Sequence, residues 1–182
     1  MTLLLTESTP ASNDRAGVEA LLGTIRGAAE AAGGDLLDAQ VPADLTRVFA
    51  IVDGAEPDVL EKALTEAGVV FVDVAEVRLV GATVEEVRAH RGSADYLVEW
   101  DLPDGLTMET YLARKKEKTP LYGQVPEVSF LRTYVREDMG KCLCFYDAPD
   151  EDAVRRARDA VTAPIDRLHR LAGLSASSTE GQ

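Results

Sequence analysis

Three side chains stand where chemistry is most readily assembled. Glu99 lies inside the apolar stretch "YLVEWD", Tyr134 near the end of "SFLRTYVR", and Cys144 within "KCLCFYD". A carboxyl drawn into an apolar interior has its pKa raised and becomes an acid or base near neutrality. A tyrosine hydroxyl orients a substrate, and a thiol acts as nucleophile once its pKa is lowered. These three are the catalytic candidates. Tyr146, Tyr122, Lys115, Trp100 and His169 are candidates for holding a substrate. Each has a plainer reading beside it: free cysteines are commonly buried, buried tyrosines bond to the fold, and a lone strand histidine is a satisfied one. Tyr122, Gln124, Arg114 and Lys115 belong to "YLARKKEKTPLYGQVPEV" (111–128), a basic loop that either closes over an anionic ligand or forms a solvated helix face.

These side chains need strands and helices to carry them. Alternation in residues 141–147 puts Cys142, Cys144 and Tyr146 on one side of a strand and Leu143 and Phe145 on the other. Strands are expected near 2–8, 35–41, 45–53 and 69–80, and again near 95–101, 127–136, 140–147 and 165–171. Helices are expected near 13–32, 56–67, 107–118 and 150–161, with Asn13 or Asp14, Thr107 and Asp150 as caps and Gly68 as a stop.

The two halves align with each other. "RVFAIVDGAEPDVLEKAL" from Arg47 and "KCLCFYDAPDEDAVRRAR" from Lys141 share a base, an apolar strand, Asp, a small residue, an acidic cap and a helix, at an offset of 141 − 47 = 94. The same offset sets "LLLTESTP" from Leu3 on "LVEWDLPD" from Leu97, and "DLLDAQVPAD" from Asp35 on "SFLRTYVRED" from Ser129. This is the mark of a duplicated unit. Strand-helix-strand-strand-helix-strand, twice, specifies α+β: tandem ferredoxin-like βαββαβ repeats forming an intramolecular pseudo-dimeric α/β barrel. The expected divisions are repeat one at 1–83, a connector at 84–94, repeat two at 95–172 and a flexible tail at 173–182. Offset 94 pairs Glu99 with Leu5, Tyr134 with Gln40 and Cys144 with Ala50, so the second copy carries the chemistry and the first reads as scaffold.

The segments "YLVEWDLPDGLT" (96–107), "TYVREDMGKCLCFYDAPDEDAV" (133–154) and "APIDRLHRL" (163–171) resemble a bacterial family of nickel-responsive, ferredoxin-like dimeric α/β-barrel proteins of otherwise unknown function. The resemblance covers the second half; the first resembles the family only in pattern. It implies functional positions at Glu99, Tyr134, Asp138 and Cys144, and a nickel set of Glu99, Asp138, Cys144 and His169. Similar proteins carry a histidine in the helix after Ala-Pro-Asp, where this chain has Ala157. Nickel favours imidazole, so no metal is the favoured expectation and nickel the alternative.

The bulk numbers exclude other classes. Nineteen Lys and Arg against 32 Asp and Glu give a net charge of −13 and a pI near 4.5, unsuited to nucleic acid or anionic membranes. The two cysteines form no secreted disulfide framework. "MTLLLTESTP" has no basic n-region or spanning length, so a cytoplasmic setting is expected. There is no Gly-rich phosphate loop, Ser-His-Asp arrangement or paired zinc motif. The reading that follows is a small-molecule enzyme of the dimeric α/β-barrel type doing cofactor-independent acid/base chemistry: isomerisation, cyclisation, dehydration or oxygenation. The fold analogy behind it is associational. A metal-responsive protein and a non-catalytic interaction module are the alternatives, and self-association of the fused pair is left open.

Overall fold

The computed structural model describes residues 2–90 and 92–176. Eight strands and five α-helices follow the expected order: β1 (Leu3–Thr9), α1 (Arg15–Ala31), β2 (Asp35–Pro42), β3 (Val48–Asp53), α2 (Pro57–Glu66), β4 (Val70–Val80), α3 (Val84–Ala89), β5 (Tyr96–Asp101), α4 (Met108–Lys118), β6 (Ser129–Arg136), β7 (Lys141–Asp147), α5 (Glu151–Ala160) and β8 (Arg167–Ser175). A six-residue 3-10 turn, Thr119–Gln124, follows α4.

The local chemistry explains the boundaries. Asp14, of the two expected caps, accepts a hydrogen bond from the Gly17 amide at 2.7 Å, and Thr107 and Asp150 cap α4 and α5 in the same way. Gly68, at φ 77°, supplies the left-handed residue that stops α2. The connector 84–94 holds α3, with Thr83 and Glu86 making a reciprocal capping box.

The chain forms two compact units. Among the described residues, one comprises 2–77, 83–90, 92–93 and 171–176; the other, 78–82 and 94–170. In the first, β1 pairs antiparallel with β3 and β4, and β3 with β2. In the second, β5 pairs with β7 and β8, and β7 with β6. Both are the ferredoxin-like order, produced twice by the same βαββαβ string. Hydrogen bonding through all eight strands closes into a barrel in the order β1-β3-β2-β8-β5-β7-β6-β4. The fold is therefore α+β, two tandem repeats in one antiparallel barrel.

Each unit has its own helix-side core. In the first, Leu22 and Ile25 of α1 and Leu60 and Leu64 of α2 pack on Leu4, Ala50 and Val52. In the second, Tyr111 of α4 and Ala153, Val154 and Ala157 of α5 pack on Tyr96, Val98, Val135, Cys142, Cys144 and Tyr146. The last strand exceeds its expected end at 171. Leu174, Ser175 and Ala176 are buried, and the Gln40–Ser175 and Pro42–Leu171 pairs carry it on, so the expected tail begins inside the structure. Residues 177–182 of that tail lie outside the described residues.

Candidate functional site

Strand alternation decides which candidates can meet. β7 presents Cys142, Cys144 and Tyr146 to the helices, as the sequence pattern requires. Glu99 pairs across with Leu143, Tyr134 also pairs with Leu143, and Cys144 pairs with Val98 and Thr133. Glu99 and Tyr134 therefore occupy one face of the sheet and Cys144 the other. A single pocket formed by Glu99, Tyr134 and Cys144 does not exist in this fold, because one residue of offset on a strand reverses the side chain.

Glu99 is fully buried and clamped. Lys141 Nζ donates to Oε1 at 2.9 Å, Arg167 Nε to Oε2 at 2.9 Å, and His169 Nε2 lies 2.7 Å from Oε2. Burial alone would raise its pKa, but the hydrogen bonds of His169 and Lys141 and the nearby positive charge overwhelm that, and the carboxyl sits far below the usual range. This carboxylate stays ionised at neutrality, contrary to the raised pKa expected of a buried Glu. Arg167 also holds Asp101, through Nη1 and Nη2 at 3.0 and 2.6 Å.

Register also corrects the internal alignment. Glu7 pairs with Phe49, and Glu99 with Leu143, the residue 94 beyond Phe49. The first strands thus correspond at 99 − 7 = 92, and the copy of Glu99 is Glu7, not Leu5. Glu7 is buried too, with Arg47 Nη1 3.4 Å away, at the position of Lys141. A buried Glu beside a base belongs to both repeats, and the expected asymmetry at Glu99 disappears.

The asymmetry is real on the helix side. Val48, Ala50, Val52 and Leu64 of the first repeat are all apolar and buried, and their counterparts at offset 94 are Cys142, Cys144, Tyr146 and Arg158. Arg158, buried to 2% exposure, is the residue the sequence reading passed over. Its signal was present: it follows Ala153, Val154 and Ala157 on the apolar stripe of α5, where the duplicate helix has Leu64.

Arg158 is the floor of a cavity of about 280 Å³, lined further by Trp100, Tyr111, Tyr122, Arg114, Lys115 and Lys118, with apolar contributions from Leu106, Val161 and Pro164. No acidic residue lines it. Arg158 Nη1 donates to the Tyr146 hydroxyl at 3.1 Å and lies 3.5 Å from Cys144 Sγ, while Nη2 donates to the Pro164 carbonyl. Its Nε is buried without a hydrogen-bond partner, and no carboxylate among the described residues pairs with it. The Tyr146 hydroxyl is 2.7 Å from that of Tyr122, on the cavity wall. Tyr122 stacks on Phe130 at 5.3 Å and 5°, and Lys115 Nζ lies 4.2 Å from the centre of the Phe130 ring. Gly81 backs that ring at φ 89°, where a Cβ would come 2.7 Å from Phe130 Cε1.

Three expected substrate-binding residues, Trp100, Tyr122 and Lys115, thus share one cavity. Tyr146 and Cys144 lie buried beneath it, and neither lines it. His169 and Tyr134 are on the other sheet face, His169 against Glu99 and Tyr134 edge-on to Phe145 at 5.9 Å. Burial raises the pKa values of Tyr122 and Tyr146, keeping both protonated. Cys144 is lowered, by a hydrogen bond from Cys142 at a sulfur separation of 3.9 Å and then, against burial, by the charges of Arg158 and Lys115. Cys142 is raised by the same hydrogen bond and by burial.

Residues 96–171 match the family described as "Nickel responsive protein SCO4226-like". No curated protein is a significant match. Among solved structures, one provisionally named chlorite dismutase TA0507 aligns with a TM-score of 0.55 and 14% identity, over 100% of this chain and 99% of that one. A provisionally named monooxygenase from Lactobacillus acidophilus NCFM aligns at 0.46 and 12%, over 96% and 93%. An anthrone oxidase-like protein aligns at 0.46 and 12%, over 98% and 94%. The first of these likenesses supports the fold and nothing more.

The nickel set does not fit the geometry. Cys144 is on the opposite sheet face from Glu99 and His169, and Asp138 sits in a surface turn bonded to Arg136 Nη2 at 2.7 Å. Among the described residues no three His, Cys, Asp or Glu side chains gather. The oxygens of Glu99 are already taken by two cations and a histidine.

Proposed function

We propose that the second repeat is a small-molecule enzyme site, and that its chemistry is cofactor-independent proton transfer in the cavity between Trp100, Tyr122 and Arg158. The observation that carries this reading is the hydrogen-bonded chain from Arg158 to Tyr146 to Tyr122, which starts at a buried cation and ends on the cavity wall. With Arg158 donating to Tyr146 and Tyr146 donating to Tyr122, the Tyr122 proton is free to point at a ligand. Each donor polarises the next in a medium of low dielectric, which offsets part of the rise that burial imposes on Tyr122 and aims its proton at the ligand.

The reaction this suits is enolisation. Tyr122 donates to a carbonyl oxygen and stabilises the negative charge that develops there, while the adjacent carbon gives its proton to water. Reversal returns a proton, so atoms and electrons balance without redox. Isomerisation, cyclisation and dehydration proceed through such enols. A positioned acid contributes on the order of 10²–10⁴-fold. Glu99 does not serve as the acid, because a clamped carboxylate has no proton to give; Tyr122 does.

The test uses phenylpyruvate and acetophenone as probes in D₂O, with deuterium incorporation beside the carbonyl read by mass spectrometry. The protein should raise incorporation above buffer for at least one probe, and Tyr122→Phe should lose at least tenfold while melting as the parent does. Incorporation no faster than buffer with both probes, or unaltered in Tyr122→Phe, would reject the assignment.

A further inference from the structure

A buried guanidinium with no carboxylate is an unfinished electrostatic arrangement. Removing an ion from water costs several kcal/mol unless an opposite charge and hydrogen bonds replace the water. Arg158 has two neutral acceptors, Tyr146 and the Pro164 carbonyl, and a buried Nε with nothing to donate to; the Cys144 sulfur, 3.5 Å from Nη1 and with its pKa lowered, offsets part of the charge from beneath but leaves the cavity side unanswered. The fold itself does not require it. Leu64 occupies the same position of the first repeat, fully buried in an apolar core. Two copies of one helix-on-sheet arrangement, one closed by Leu and the other by Arg, are an internal control for the need for a charge.

The cavity wall adds to that charge. Arg114, Lys115 and Lys118 bring the lining to four cations and no anion, in a chain whose net charge is −13. A local positive site in an acidic protein concentrates anions that the rest of the surface repels. The rest of the wall is aromatic: Trp100 and Tyr111 stand 6.0 Å apart, tilted by 43°, and Tyr122 completes the set. A volume of about 280 Å³ lies at the low end of the roughly 300–1,000 Å³ range of small-molecule sites. That room suits a ligand of one or two rings. Bare phosphate would leave the rings without a partner.

We infer that this cavity takes a small, flat aromatic carboxylate, its ring among Trp100, Tyr111 and Tyr122 and its charge answering Arg158 and the Arg114–Lys115 rim. The inference names the substrate class for the site proposed above and rests on that reading.

Trp100 is the only tryptophan of the chain and lines the cavity, so its fluorescence reports occupancy. Trans-cinnamate, cinnamamide and inorganic phosphate are titrated into the full chain, with calorimetry in parallel. Cinnamate should quench Trp100 saturably at one equivalent, cinnamamide should bind at least tenfold more weakly, and phosphate should leave the signal unchanged. Arg158→Leu copies the first repeat and should fold, losing at least tenfold for cinnamate while its weaker binding of cinnamamide is kept. Arg114→Gln with Lys115→Gln, the first exposed and the second half-buried on the cavity rim, should weaken cinnamate several-fold and serves if the Leu variant does not fold. Equal binding of the acid and the amide would overturn the charge assignment and leave the small-molecule site standing. Cinnamate binding unaltered in both variants would also overturn it, as would no response to cinnamate. In each case the deuterium experiment judges the catalytic reading independently.

Discussion

At the scale of the single residue, Glu99 and Arg158 show how partners reverse what residue type suggests. A carboxyl in the middle of "LVEWD" invites the reading of a raised pKa. Lys141, Arg167 and His169 make it a permanent anion with a structural task. Its pKa is lowered from an ordinary 4.5, so its contribution to stability is complete above that value and is lost as pH falls below it toward the folded pKa. Glu99→Gln should therefore cost on the order of 3 kcal/mol at pH 7, because it removes the buried charge that answers Lys141, Arg167 and His169 at once. In a chain of this size that is roughly 10 °C in melting midpoint. The gap between parent and variant should narrow as the melt is repeated from pH 5 towards pH 3; a gap that is absent at pH 7, or constant with pH, would refute the clamp. Arg158→Leu is expected to do the reverse, keeping or raising the melting midpoint, since a buried ion replaced by an apolar group of similar size is commonly neutral or stabilising.

At the scale of the element, caps and periodicity set the boundaries, which is why most of them were legible. Asp150 accepts from the Ala153 amide at 2.8 Å at the start of α5, the helix that carries Arg158. Asp150→Ala should cost about 1 kcal/mol, or roughly 2–4 °C in thermal melts. The equivalent helix α2 starts at Glu56 with no side-chain cap bond, so Glu56→Ala should leave the midpoint within a degree or so. A matching loss from both substitutions would disprove the capping argument. The 3-10 turn at Thr119–Gln124 was not legible, because its Pro-Leu-Tyr-Gly-Gln string carries no apolar period. Tertiary contacts hold it, Tyr122 being fastened by Phe130 and the Tyr146 hydroxyl. Arg158 was missed for a related reason: helical pattern reading treats an arginine on the apolar stripe as noise, whereas the duplicate Leu64 marks it as a substitution in a core position.

At the scale of the whole molecule, the duplication is the main organising fact, and its internal alignment needed hydrogen-bond register to be correct. A slip of two residues in the first strand leaves the apolar pattern intact, since strand period is two, yet moves the copy of Glu99 from Leu5 to Glu7. The end of β8 is part of this architecture. Residues 171–176 belong with the first unit, pairing with β2 at Pro42 and Gln40 and taking a hydrogen bond from Arg26 at the Ala176 carbonyl. Ending the chain after Leu171 should remove buried Leu174, worth about 1.5–3 kcal/mol on its own, and lower the melting midpoint by at least 5 °C. A truncated chain that melts with the full one would show that this segment adds nothing.

The sequence by itself determined the elements, their order, the duplication and the α+β class, because each rests on local period, capping chemistry and repetition along the chain. Three of its candidates, Trp100, Tyr122 and Lys115, line one cavity. Only the tertiary structure decided which side of the sheet each candidate faces, that a buried Glu beside a base stands in both repeats, and that Arg158 is buried without a carboxylate partner. Those are properties of pairing register and of contacts between residues tens of positions apart. In the second repeat the distance from Glu99 to His169 is 70 residues along the chain and 2.7 Å in space.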